Sequence, residues 1–156
     1  MTKNLSLEDL KKLRTKTKAG VMDCRTALEA CSGDLKKAEI WLREKGIKSA
    51  DKRAEREATC GLVEAYTHGE GKIVAAVELC CETDFVERTE DFKKLAHDLA
   101  MQVAAMNPKD TADLLSQSWI KNESLKIGDL VKELSGKTGE NIKVGRLYRL
   151  ELGKGK

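Results

Sequence analysis

The sequence predicts an α+β protein in two parts: a unit of three short helices, then a small three-stranded antiparallel sheet packed with helices. Three observations predict it. Apolar residues recur every three or four positions up to about residue 47 and again from Phe92 to Met106, but every second position in Ile73–Cys81. The stretch "KSADKRAEREA", Lys48–Ala58, carries mixed charge and almost nothing apolar beyond Ala, as a solvated linker helix would. The expected division is therefore a helical unit 1–47, a linker helix 48–58 and an α+β core 59–156.

In the first unit, Ser6 is placed to cap a helix, with Asp9 three residues on and Leu7, Leu10 and Leu13 following at every third position. Gly20 breaks that helix. A second is expected over Val21–Cys31, with Met22, Leu28 and Cys31 as candidate inward residues. "SGD", Ser32–Asp34, is a turn whose Asp caps a third helix with the stripe Leu35, Ala38 and Leu42 and with Trp41 beside it. Gly46 is its expected stop. Helices of about ten residues do not survive singly, so the three must close a small common core.

In the second unit, "GLVEAYT", Gly61–Thr67, and "IVAAVELCC", Ile73–Cys81, flank the turn "HGEGK" and predict a hairpin. Ile73, Ala75, Val77, Leu79 and Cys81 share the face expected to be buried, which sends Cys80 to the other. Thr89 is placed to cap a long helix with the stripe Phe92, Leu95, Ala96, Leu99, Val103 and Met106, ended by Pro108. Residues 109–124 read as irregular with a short helix near Leu114. A last helix over Ile127–Lys137, the turn "TGEN" and a third strand, "IKVGRLYRLEL", complete the unit. Three strands leave one sheet face bare, which favours a homodimer.

Composition narrows the function. The formal charge of +3 is close to balance and makes no general case for nucleic acid or membrane. The start has no apolar signal segment and no run reaches the length of a membrane helix, so the chain reads as cytoplasmic. The five cysteines, Cys24, Cys31, Cys60, Cys80 and Cys81, are odd in number, and with His68 and His97 they match no common zinc spacing. They read as small apolar residues, and no metal or cofactor is expected. Neither histidine stands in a catalytic context, and no phosphate loop is present. An enzyme is not expected.

Protein binding is favoured by two features. At "AGVMD", Val21 and Met22 adjoin at a helix start: either both form an adhesive surface, or one is core and one half exposed. At "ETDFV", Glu82–Val86, one of only two phenylalanines sits on the turn between strand and helix. Phe85 is either an exposed anchor for a partner or a staple folded back on Val86 and Phe92.

Three stretches carry a family resemblance. "TKAGVMDCRTALEACSGDLKKAEIWLREKG" resembles the start of the elongation factor Ts family, "ETDFV" looks like that family's diagnostic motif, and "TGENIKVGR" resembles its closing strand. They occur in the family's order and span nearly the whole chain. The resemblance implies an exchange factor that binds elongation factor Tu, both GDP-bound and nucleotide-free, and catalyses GDP release. It implies a helical unit similar to ubiquitin-associated domains, docking through Gly20, Val21 and Met22 with Leu13 nearby. It implies that Thr83, Asp84, Phe85 and Val86 enter the partner near its magnesium and phosphate site. There are departures: Lys18 and Val21 replace the family's usual Gly and Met, and the segment between Pro108 and Ile142 looks abridged. A rival reading is a ribosome- or tRNA-associated adaptor using the basic run Lys11, Lys12, Arg14, Lys16 and Lys18, separable by a steep salt dependence.

Overall fold

A computed structural model describes residues 6–155. Three helices come first: α1 (Leu7–Thr17), α2 (Val21–Ala30) and α3 (Leu35–Asp51). The Ser6 hydroxyl accepts the Glu8 N–H, and Asp34 accepts the Lys37 N–H, so both expected caps form. Lys18, in the left-handed conformation, ends α1, and Gly20 is the N-cap of α2. Leu13, Cys24, Ala27, Leu28, Ala38 and Leu42 pack as one cluster, with Leu10, Cys31, Leu35 and Trp41 against it. Met22 does not point inward; it is largely exposed.

Gly46 is not a stop. Helix α3 runs through it to Asp51, and turns follow at residues 52–55, so the helix expected over 48–58 is in fact the last turn of α3. The reason lies far away in sequence. Helix α7 (Ile127–Thr138) crosses α3 at this point. A Cβ added to Gly136 would stand 2.5 Å from the Gly46 Cα. The two glycines let the backbones touch, and Arg43–Glu133 and Lys132–Asp51 ion pairs flank the crossing.

The sheet has the order β1-β2-β5: β1 (Cys60–His68), β2 (Ile73–Cys81) and β5 (Lys143–Glu151), antiparallel throughout. Ala75, Val77, Leu79 and Cys81 are buried as expected, beneath α5 (Glu90–Met106). Thr89 caps α5 by accepting the Phe92 N–H. The stripe from Phe92 to Val103 is buried, whereas Met106, the last residue before Asn107 turns left-handed, is exposed. The short helix near Leu114 is α6 (Thr111–Ser116).

The stretch expected to be irregular also holds a two-stranded ribbon, β3 (Ser118–Trp119) and β4 (Asn122–Lys126). It is tied to α5 by a fully buried side chain. The Gln102 amide donates to Gln117 Oε1 and the Ser118 carbonyl and accepts the Ile120 N–H. Asp98 is buried as well and pairs with Lys121 at 2.6 Å. A buried polar group must find partners, and here those partners fix the ribbon.

Candidate functional site

The exposed aromatic at the end of β2 is built from its backbone outward. Beyond Cys81 the chain passes through Glu82 and Thr83 into α4 (Asp84–Glu87), a single helical turn. Successive helical residues are about 100° apart, so only one of two neighbours can face the core. Val86 takes that place, and Phe85 is 78% exposed. Phe92, seven residues on, is fully buried. Of the two readings left open for Phe85, the structure shows the exposed one.

Four anchors hold the turn. The Glu140 carboxylate accepts the Glu82 N–H at 3.0 Å and the Thr83 N–H at 3.1 Å on one oxygen, and the Thr83 hydroxyl at 2.5 Å on the other. At the far end, Glu87 accepts the Gly61 N–H at 2.9 Å. The Thr89 hydroxyl donates to the Val86 carbonyl, and the Cys81 thiol donates to the Thr83 carbonyl. Gly61 lies where a side chain is forbidden: φ is +142° and a Cβ would stand 2.1 Å from the Leu79 carbonyl oxygen. Asp84 is half exposed and pairs with Arg88 at 2.8 Å.

The clamp is reciprocal. The Glu82 carboxylate accepts the Asn141 N–H at 2.6 Å, so each acidic side chain binds the other segment's backbone. The Asn141 amide then donates to the Ala54 and Arg56 carbonyls, in the connector between α3 and β1. "ETDFV" and "TGEN", separate in sequence, are one structural unit. Sequence reasoning missed Glu140, Glu87 and Asn141 because polar residues in turns read as solvated.

Of the residues marked on the helical unit, Gly20 begins α2, and Val21 and Met22 are 44% and 69% exposed in its first turn. Leu13 lies in the helical core at 2%, packed in one cluster with Cys24 and Leu28 of α2, and offers no surface. Lys18, three residues before Val21, reaches Asp91 in the first turn of α5 at 3.7 Å.

The titratable groups are occupied elsewhere. The His97 Nδ1 meets Glu64 Oε1 at 3.0 Å, and the rings of His68 and His97 both pack on Tyr66. Among the described residues, no group of three or more His, Cys, Asp or Glu is arranged to hold a metal ion. A cleft of about 500 Å³ lies between the helical unit and α7. Most of its lining charges are paired: Lys16 with Glu39, Lys45 with Asp23, and Arg43 and Lys137 with Glu133. No described helix is long and apolar enough to cross a membrane.

Fold and site together define a class: a small α+β protein with a helical appendage, presenting single apolar side chains on held turns. Residues 82–156 match the family model described as elongation factor TS. An elongation factor Ts of Herpetosiphon aurantiacus is 39% identical, the alignment covering 96% of this chain and 98% of that protein. The Thermotoga maritima protein of the same name is 38% identical, covering 97% and 98%. That of Carboxydothermus hydrogenoformans is 39% identical, covering 94% and 88%. The chain belongs to the elongation factor Ts family, and its broad role is that of a translation elongation factor. The first alignment runs over 195 positions against 156 residues here, so that relative holds segments with no counterpart in this chain.

Proposed function

We propose that this protein is the guanine nucleotide exchange factor of elongation factor Tu, acting by binding alone with no covalent step. The observation that carries the reading is Phe85, exposed on a turn whose backbone is anchored at both ends. A rigid aromatic loses little conformational freedom on binding, so its apolar area converts efficiently into affinity. Thr83, Asp84, Phe85 and Val86 form the element that enters the partner near its magnesium and phosphate site. Thr83 and Val86 fix the backbone while Asp84 and Phe85 make the contact.

GDP is held partly by contacts between its phosphates, a metal ion and backbone donors. A wedge that requires a displaced arrangement there binds best to the state that holds GDP worst. Coupling of this kind is reciprocal: nucleotide must weaken the factor by the factor's own effect on nucleotide. Incoming GTP therefore expels the factor, which speeds exchange and leaves the final nucleotide ratio to the surroundings. The factor needs no metal or cofactor of its own.

Residues 1–47 would dock separately on the GTPase through Gly20, Val21 and Met22, with Leu13 as their support. Residues 59–156 would carry the wedge. The partner would be a protein in the cytoplasm, not nucleic acid. The basic run supports this: Lys12 pairs with Glu8, Lys16 with Glu39 and Lys18 with Asp91, so three of its five charges are already matched. A second reading concerns assembly. Val63, Tyr148 and Leu150 stand 65–72% exposed on the sheet face away from α5, as a homodimer through that face would use. Stopped-flow release of a fluorescent GDP analogue from elongation factor Tu tests the main reading: acceleration by the wild-type chain is expected, and none would overturn it.

A further inference from the structure

The turn that carries Phe85 cannot hold its own direction. A helix of four residues has one or two internal hydrogen bonds, far below what an isolated helix needs. Its N-cap residue, Thr83, gives the turn no side-chain bond; the hydroxyl points away, to Glu140. The orientation of Asp84 and Phe85 is therefore decided by what grips the backbone on either side: Glu87 and the buried Val86 after them, and the contacts of Glu82 and Thr83 before them. Before the turn, the Cys81 thiol makes one hydrogen bond, to the Thr83 carbonyl, and the Glu140 carboxylate, 58 residues along the chain from Glu82, makes three.

Glu140 is itself fixed. It follows Gly139, the left-handed cap of α7. Its N–H donates to the Thr138 hydroxyl, and its carbonyl accepts the Ser135 hydroxyl. Thus α7, which also crosses α3 at Gly46, sets the carboxylate's position, and the carboxylate sets the turn. Two backbone N–H groups and a hydroxyl hold the Glu140 carboxylate, while the Glu82 carboxylate takes the Asn141 N–H with Arg56 at 3.5 Å. A polar group kept at such a place without touching a ligand is expected to hold something in position.

We propose that Glu140 is a positioning residue for nucleotide exchange: docked on the Glu82 and Thr83 amides and the Thr83 hydroxyl, it aims Asp84 and Phe85 into the partner. The proposal rests on the exchange reading above. It separates two consequences of losing the carboxylate. A merely structural residue would lower activity by the same factor whatever stands at position 85. A residue that acts through Phe85 has nothing left to aim once Phe85 is gone, so the two effects do not multiply.

The test is a double-mutant cycle on GDP release, with wild type, Glu140→Ala, Phe85→Ala and the double variant. Misplacing a contact group by an ångström is enough to cost roughly tenfold or more, and that loss is expected for Glu140→Ala in the Phe85 background. In the Phe85→Ala background the further loss should stay within about twofold. Glu140→Gln should recover most of the activity. Its amide oxygen can take both N–H groups and its amide nitrogen can donate to the Thr83 hydroxyl, whereas Ala can do neither. Thermal melts accompany each variant, and if Glu140→Ala does not fold, Thr83→Val removes one of the same bonds in its place. Equal losses in both backgrounds, or full activity in a folded Glu140→Ala protein, would overturn the proposal. Undiminished release by Phe85→Ala would instead remove the wedge reading, and this proposal with it.

Discussion

The two phenylalanines divide the work of the molecule between them. Phe92 has no exposed surface, and truncating it should cost about 3–5 kcal/mol in urea unfolding. Phe85→Ala, by contrast, should move stability by no more than roughly 0.5 kcal/mol, because solvent already surrounds the ring. The periodicity of the sequence identified Phe92 as core, since a long stripe surrounds it. It left Phe85 open, because one helical turn has no period to read; what decides is Val86 taking the inward place. Glu140 was invisible for a different reason: a clamp across 58 residues leaves no local signal. Cys81 offers a pH test at the same spot. Burial, then the nearby Glu140 carboxylate, then Cys60 and Glu87, push its thiol up from 9.0 to about 11. A raised thiol favours the protonated native state, so its contribution is complete below pH 9 and is lost as pH climbs towards 11. The stability difference between wild type and Cys81→Ala should shrink by up to about 2–3 kcal/mol over that range. A difference independent of pH would contradict this reading of the site.

Among the elements, α3 and α7 set how the helical unit meets the sheet. Gly136→Ala would put a Cβ at 2.5 Å from the Gly46 Cα, against backbone that cannot swing aside. Overpacking of this kind should cost about 1–3 kcal/mol, read as a lower urea midpoint. Gly46→Ala, whose nearest contact would be 3.4 Å, should cost less. The sequence alone suggested the opposite role for Gly46. A glycine after an amphipathic helix ordinarily marks its end, and nothing nearby distinguishes a cap from a crossing point. The long stripe of α5 and the alternation of β2 were legible because burial on one side imposes a period. The β3–β4 ribbon was not. "NESLK" alternates weakly, and the ribbon is held by Gln102 and Asp98, which lie outside it on α5.

At the scale of the whole molecule, two apolar clusters stand apart, one among α1–α3 and one between the sheet and its helices. The order of these parts followed from the change of period along the chain. Their junction did not, because it depends on the Gly46–Gly136 contact and on Asn141 reaching the connector. The bare sheet face carries its own prediction. If it joins two copies, sedimentation equilibrium should show a dimer for wild type and a monomer for Leu150→Lys, which places a charge among Val74 and its neighbours. A wild-type monomer at tens of micromolar would exclude that assembly. The central claim is that an exposed Phe85 on an anchored turn drives nucleotide release. The most direct measurement is release of a fluorescent GDP analogue from elongation factor Tu, with wild type and Phe85→Ala side by side. Burying a phenylalanine is worth about 1.5–3 kcal/mol, so a folded variant should lose roughly tenfold to a hundredfold in rate. Equal rates for the two proteins would contradict the account.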